Sequence, residues 1–278
     1  MITIPLPQIL PYRDPEDAAI RGKSVAGYGH IALSRLPWHL HEEMTEGDCM
    51  GVKASSTRRV LTFEEEVGAE RPMRLYAKRN IARTWGKALT HRLQGSKSRR
   101  EWGCGWTLIQ RGILTGRPVL FAERRRGGLI WENYLITEAI RADRSLWDHL
   151  RLTVEERGED PTPVLGPLAR FVQEIHGVGF YHDDLSAEHI WIANDTEGMR
   201  FGLIDLDACR FSHALSPRQR LMNLFQILRS VPRRFLSADQ REVFLAAFHG
   251  ERWSAVRDRV FADLSAMEAK KGARSVLG

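Results

Sequence analysis

Two β-prone runs of mixed apolar and polar residues open the readable part of the chain, GVKASSTRRVLTFEEE from Gly51 and MRLYAKRNI from Met73. Turn chemistry at Gly68 to Pro72 lies between them, so they predict successive strands. Residues 84–112 change period. Apolar positions there recur at helical spacing, with Trp102, Cys104, Trp106, Leu108 and Ile109 in the second half, and predict one or two helices. RPVLFAERR and NYLITEAI follow as further strands, so the first half reads as a small β-rich unit with a helical insertion after its third strand. Residues 1–50 carry scattered Pro and Gly and predict an irregular N-terminal extension packed on the main body.

The second half is patterned differently. Ser145 is placed to cap a short helix over Leu146 to Leu150. After the polar stretch EERGEDPTP, Leu165, Leu168, Phe171, Val172 and Ile175 share one helical face, and Gly177 and Gly179 end that helix. The loop YHDDLSAEH comes next, then two short strands, HIWIAND and RFGLIDLDA, joined as a hairpin by a turn at Asn194 to Gly198. From Ser216-Pro217 to about Ala269 the pattern is amphipathic helix. The expected fold class is α+β, with an extension (1–50), a β-rich N-lobe (51–138) and a mostly helical C-lobe (139–278). No internal repeat or low-complexity segment interrupts it.

Composition narrows the class. At 278 residues, 43% hydrophobic and 27% charged, the chain is ordinary globular protein, large enough for two lobes. Cys49, Cys104 and Cys209 are odd in number, far apart and without a CxxC pair, which favours free buried thiols in a reducing compartment and no structural zinc. The start lacks a basic n-region and is broken by Pro5, Pro7 and Pro11, and no apolar run approaches the roughly 18 residues a membrane span needs. The expectation is a cytoplasmic protein, at most peripheral to a membrane.

Charge is unevenly spread. The net charge is +6, yet residues 71–126 hold 15 Lys and Arg against 2 Asp and Glu. That block interleaves Arg83, Lys87, Arg92, Lys97, Arg99, Arg100 and Arg124 to Arg126 with Trp85, Trp102 and Trp106. A field of this kind attracts nucleic acid, anionic headgroups or a phosphorylated glycan, or is simply a solvated arginine-rich face.

Candidate chemistry concentrates in His182-Asp183-Asp184-Leu185-Ser186-Ala187-Glu188-His189 and in Leu203-Ile204-Asp205. Two acids, one in a loop after a helix and one ending a hairpin strand, are brought to one cleft by this order. Phosphoryl transfer uses such a pair: Asp184 to orient or deprotonate an acceptor hydroxyl, Asp205 to hold Mg²⁺, a hard cation that takes oxygen ligands. His182 reads as a structural imidazole bonding the loop backbone. Asp207 reads as an exposed loop acid, with a second metal contact as its alternative.

The motif HxDLxxxH followed by IDLD resembles the catalytic and metal-binding loops of the protein-kinase-like superfamily, and within it the lipopolysaccharide kinase (Kdo/WaaP) family. LYAKR, SKSRREW and NYLITEAI support the narrower resemblance, which covers roughly residues 53–235. It implies a two-lobed kinase-like fold and ATP with Mg²⁺ as cofactors. By the same resemblance Lys78 pairs with the ATP phosphates and with Glu101, and backbone groups of Glu138 to Ile140 hold adenine. It also implies a lipopolysaccharide core or other anionic glycolipid as acceptor, with an anionic membrane surface as a further partner.

Two features depart from the kinase pattern. His189 stands where most kinases place a metal-binding Asn, so it is read either as a metal or phosphate contact or as structural support. Lys53 to Arg59 contains no glycine, leaving Ser55 and Ser56 with basic neighbours to cover phosphates through backbone N–H groups. A nucleotide-binding scaffold without turnover, and a kinase-like enzyme acting on a protein or another small hydroxyl compound, stay open as alternatives. A nucleic-acid module explains the arginines but not the Asp184, His189 and Asp205 spacing. Arg141 is the one side chain suggested for the acceptor, and the oligomeric state is not readable.

Overall fold

The computed structural model describes residues 6–38, 45–46, 49–66, 72–196 and 198–271. The chain separates into two compact units, residues 1–140 and 141–278. The turn expected at Gly68 to Pro72 lies, apart from Pro72, outside the described residues.

In the first unit, strands β1 (Ile9–Arg13), β2 (Ile20–Val25), β3 (Thr45–Glu46), β4 (Cys49–Ala54), β5 (Arg58–Glu65) and β6 (Met73–Ile81) precede helices α1 (Trp85–Gln94) and α2 (Lys97–Gln110). A two-residue strand, β7 (Leu114–Thr115), leads to β8 (Pro118–Arg126) and β9 (Leu129–Glu138). The principal sheet is antiparallel, in the order β1-β2-β8-β9-β6-β5-β4-β3. The expectation of an irregular start does not hold, because β1 and β2 extend the sheet along β8. Pro11 is tolerated because β1 is an edge strand, where a missing N–H costs no ladder bond. Gly22 looks like a turn residue in sequence but sits mid-strand. A Cβ there would lie 1.8 Å from the Phe121 carbonyl oxygen, so the approach of β8 requires glycine.

GVKASSTRRVLTFEEE, read above as one β-prone run, folds back on itself as β4 and β5 around Ser55 to Thr57. The buried core joins Leu61 and Phe63 of β5, Leu75 and Ala77 of β6, Leu120 of β8, Tyr134 and Ile136 of β9 and Trp106 of α2. Tyr12, Ile20, Tyr28 and Trp38 complete it, so the first forty residues supply core aromatics; each large side chain buried contributes roughly 1.5–3 kcal/mol.

The second unit begins with β10 (Arg144–Ser145), α3 (Leu146–Arg151) and α4 (Thr162–Gly177). Ser145 caps α3 by accepting from the Asp148 amide at 3.0 Å. Strands β11 (Phe180–His182) and β14 (Cys209–Phe211) pair antiparallel, bracketing the hairpin of β12 (Ile190–Asp195) and β13 (Gly198–Leu203); β10 pairs with β12. Helices α5 (Pro217–Ser230), α6 (Ala238–His249) and α7 (Trp253–Lys271) follow. Capping boxes start α5 and α6, with Ser216 paired to Gln219 and Ser237 to Gln240. The five apolar residues singled out on α4 are all buried, as are Leu224, Phe225, Ile227 and Leu228 of α5. Cys104 and Cys209 are buried free thiols, as expected.

Much of the basic block is answered by acids outside it. Arg79 and Arg124 both bind Glu132, at 2.8 and 3.0 Å, and Arg124 also reaches Asp17 at 2.6 Å. Arg117 pairs with Glu138. Lys87 and Arg92 of α1 and Lys97, Arg99 and Arg100 of α2 take no part in these pairs.

Candidate active site

Lys78 stands in the middle of β6, in register with Val60 on one side and Leu135 on the other. Its ammonium donates to Glu101 Oε1 at 2.5 Å, with side chains only 12% and 5% exposed. Glu101 lies one turn into α2, whose start is fixed twice. Ser96 Oγ accepts from the Arg99 amide at 3.2 Å and donates to Glu123 at 2.8 Å. The Ser98 amide and hydroxyl both donate to Asn133 Oδ1 on β9, at 3.1 and 2.8 Å. A lysine held this way projects a fixed cation from the sheet, since removing either partner would strand a buried charge.

Ser55 and Ser56 occupy the β4–β5 turn. Ser55 Oγ accepts from the Arg58 amide at 3.1 Å and the Thr57 amide at 3.4 Å, so this hydroxyl and two N–H groups are spent on the turn itself. Glu138 ends β9, where its carboxylate accepts from Tyr28 at 2.5 Å and Arg117 Nε at 2.8 Å. Burial and that carboxylate push the Tyr28 phenol up to about 12. The Glu138 amide donates to Arg117 O and the Ala139 amide to Arg74 O, both at 2.9 Å. These two amides are thus spent within the unit itself.

In the second unit the loop after β11 is built around His182. This imidazole is almost wholly buried. Its Nε2 faces the Asp205 carbonyl at 3.0 Å and its Nδ1 accepts from the Asp184 amide at 3.0 Å. Carbonyl oxygen only accepts and an amide N–H only donates, so His182 is the neutral Nε2–H tautomer. Burial, the larger influence, lowers its basicity in keeping with that state. One ring therefore ties the Asp184 loop to the backbone of Asp205.

Asp205 adopts φ 58°, ψ 57°, the only positive φ at a non-glycine among the described residues. Such a left-handed conformation costs of order 1 kcal/mol and persists where surrounding bonds enforce it. Here the His182 bond does so. His189 Nδ1 lies 2.7 Å from the Asp184 carbonyl and must donate to it, which turns Nε2 toward Asp205 Oδ2 at 4.0 Å. Asp184 itself is exposed, and its carboxylate accepts no hydrogen bond among the described residues. Asp183, the neighbour easily mistaken for it, is paired with Arg210 at 3.1 Å, and Arg210 also covers the Tyr181 ring at 4.5 Å. Asp207 is half-buried in a short turn rather than exposed, and Arg141 is exposed.

The residues that sequence reasoning missed lie on α5. Asn223 donates to the His182 carbonyl at 2.6 Å and to Gln226 Oε1 at 2.9 Å. Gln226 in turn donates to the Asp183 carbonyl and accepts from the Leu185 amide at 3.3 Å. Ser230 Oγ accepts from the Ala187 amide at 2.8 Å. Asn223, Gln226 and Ser230 follow at i, i+3 and i+7, one polar stripe on an otherwise apolar buried face. That stripe is the signal that could have found them.

Among the described residues no three His, Cys, Asp or Glu side chains gather as a ready metal cage. One fixed carboxylate, Asp205, fits a cation such as Mg²⁺, which usually takes one or two protein carboxylates and completes its sphere with phosphates and water. His189, its Nδ1–H anchored on a carbonyl, has the orientation of a ligand imidazole but the wrong hardness for that metal.

The fold is similar to that of a solved structure of WaaP in complex with acyl carrier protein, with a TM-score of 0.59 and 20% sequence identity, covering 80% of this chain and 86% of that chain. A likeness at that identity speaks to the fold, a β-rich N-terminal sheet followed by a helical region. No curated protein sequence matches the chain. The profile of the lipopolysaccharide kinase (Kdo/WaaP) family matches residues 43–248, and the chain belongs to that family. It is accordingly an ATP-dependent phosphotransferase of lipopolysaccharide, as the sequence resemblance implied.

Proposed function

We propose that the chain transfers the γ-phosphoryl group of ATP to a Kdo or heptose hydroxyl of the lipopolysaccharide inner core, its two units serving as kinase N-lobe and C-lobe. The observation that carries this is the His182 bridge, which sets an unpaired, exposed Asp184 and a left-handed Asp205 on one rigid loop pair. Asp184 orients the sugar hydroxyl and takes its proton as the new O–P bond forms and ADP leaves. Lys78, steadied by Glu101, neutralises phosphate charge on the nucleotide, and backbone near Glu138 and Ile140 receives the adenine. Asp205 would hold Mg²⁺, which when bound supplies charge neutralisation at the phosphates. His189, whose Nε2 faces Asp205 Oδ2 at 4.0 Å, would contact a nucleotide phosphate from there. Ser55 and Ser56 act through the shape of their turn, consistent with the spent hydroxyl of Ser55. The acceptor is lipid-anchored, so the reaction takes place at an anionic membrane surface.

The test is mass spectrometry of core oligosaccharide isolated from cells with and without this protein. A mass difference of one phosphate, located by fragmentation on Kdo or heptose, is expected. Identical core masses in the two strains would overturn the acceptor assignment.

A further inference from the structure

Helix α1 is polarised in the reverse sense to α2, which buries Trp106 and Leu108. Its inner face carries Ala88 and His91, both buried and packed toward β9. Its outer face carries Trp85, Leu89 and Leu93, exposed by 71%, 47% and 75%. These three stand at i, i+4 and i+8, so they form one apolar stripe along the helix. Trp85 is extended sideways by an edge-on contact with Trp131 on β9, ring centres 5.3 Å apart. Scattered exposed leucines need no explanation, but an aligned row of the largest apolar side chains does.

The charges around the stripe are of one sign. From Arg83 to Arg100 the chain holds Arg83, Lys87, Arg92, Lys97, Arg99 and Arg100 and no carboxylate. Beyond the end of α1 a hollow of about 470 Å³ is lined by Arg92, Leu93, Arg99, Arg100 and Arg125 among others. Ser96 opens α2 beside it, so the start of that helix adds its own positive end. A lining that sets Leu93 beside Arg92, Arg99 and Arg100, with Arg125 already paired to Glu123 at 2.6 Å, matches a lipid with its acyl chain on the leucine side and its phosphate on the arginines.

We propose that α1 is an interfacial anchor that lies in the plane of an anionic bilayer, with Trp85, Leu89 and Leu93 among the acyl-chain ends nearest the headgroups and Arg92, Arg99 and Arg100 on lipid phosphates. Charge complementarity and amphipathic pattern carry this choice of occupant. Tryptophan and leucine below a belt of arginine is the composition of helices that bind the interface. A helix of ten residues is about 15 Å long, and its three exposed apolar side chains fall well short of the roughly 20 residues a side of a stable protein interface. No helix among the described residues is long and apolar enough to cross a membrane, so contact of this kind is superficial and reversible. The inference goes beyond the kinase reading and stands on this surface alone, whatever the acceptor.

Co-sedimentation of the full chain with vesicles tests it. Binding is expected to vesicles of equimolar phosphatidylglycerol and phosphatidylcholine, and much less to phosphatidylcholine alone. Leu89→Ser with Leu93→Ser, both outside the core, should weaken partitioning by about tenfold or more while circular dichroism and turnover on soluble core oligosaccharide stay unchanged. Arg92→Gln with Arg99→Gln and Arg100→Gln should remove most of the preference for phosphatidylglycerol. Vesicle binding that ignores both sets of changes overturns the proposal. So does absence of vesicle binding by the native chain, and purified acyl carrier protein or a second copy of the chain binding in a manner lost with Leu89→Ser and Leu93→Ser would then name the true occupant. Vesicle binding by a native chain that transfers no phosphate to core oligosaccharide would count against the kinase assignment instead and leave the anchor standing.

Discussion

His182 donates from Nε2 to the carbonyl of Asp205 across 3.0 Å while its Nδ1 receives the amide of Asp184, so a single buried ring sets the spacing of the two loops that bear these candidate acids. His182→Ala leaves one buried carbonyl and one amide without partners. Each such loss costs about 1–3 kcal/mol, and the left-handed Asp205 loses what enforces it. Urea unfolding should show a drop of about 2–4 kcal/mol, and steady-state assays should show kcat falling far more than KM for ATP rises.

The same cluster makes stability depend on pH. His176 is buried against Phe248, ring centres 5.6 Å apart, with Nε2 facing Asn223 Oδ1 at 3.3 Å and Nδ1 unpartnered among the described residues. Protonation would bury a charge with one N–H unsatisfied, so burial above all lowers its pKa from 6.5 to about 4. The unfolded chain then binds a proton at higher pH than the folded chain does. Stability is full above pH 6.5 and declines as pH falls toward 4, by roughly 2 kcal/mol at pH 5 from this group. His182 is shifted in the same direction and adds to the decline. Urea titrations at pH 7 and pH 5 should show it, and His176→Gln should flatten the difference.

Helix α5 supports the loop through side chains rather than through packing alone. Asn223→Leu removes the donor to the His182 carbonyl, and Gln226→Leu removes contacts to Asp183 and Leu185. Either change should reduce kcat by about 100-fold, the effect of a misplacement near 1 Å, with nucleotide affinity nearly unchanged. Comparing single-turnover rates with ATP dissociation constants checks this.

How far the sequence announced all this depends on where each interaction comes from. Asp184, Asp205 and the hairpin between them were legible because their order is local, a helix, a loop and two strands within forty residues. The polar stripe of α5 was hidden because an amphipathic pattern is read from its apolar members, and Asn223 and Gln226 are buried for their hydrogen bonds. Strands β1 and β2 were missed because Pro11 and Gly22 signal turns in isolation, and only the edge position of one and the close passage of Phe121 past the other reverse that reading. The ion pairs that answer part of the basic block were hidden for the same reason. Asp17 stands 107 residues from Arg124, Glu132 53 from Arg79 and Glu138 21 from Arg117, separations at which pairing is not readable from sequence.

Gly179 closes α4 at φ +73°, and a Cβ there would lie 1.9 Å from the Ser212 carbonyl oxygen. That carbonyl cannot retreat without loosening the β11–β14 pairing that begins the His182 segment. Gly179→Ala should cost about 2 kcal/mol or more, through both backbone conformation and the clash, and differential scanning calorimetry should show a lower Tm.

The buried ion pair of the first unit offers a contrast between charge and shape. Lys78→Met removes the cation and leaves Glu101 buried alone, so it should lower both turnover and stability, the latter by about 3–5 kcal/mol. Pairing it with Glu101→Gln should restore most of the stability but none of the turnover. Urea midpoints beside phosphoryl-transfer rates separate the two effects.

The account rests most heavily on Asp184 and Asp205 as the acids of phosphoryl transfer. Transfer of γ-labelled phosphate from ATP to purified core oligosaccharide, measured for the native chain and for Asp184→Asn and Asp205→Asn, addresses it directly. Both variants should retain the native circular dichroism spectrum and lose at least about 1,000-fold in rate, while Asp183→Asn, which loses only an exposed pair with Arg210, stays within about threefold of the native chain. Native-like transfer by either of the first two variants would contradict it.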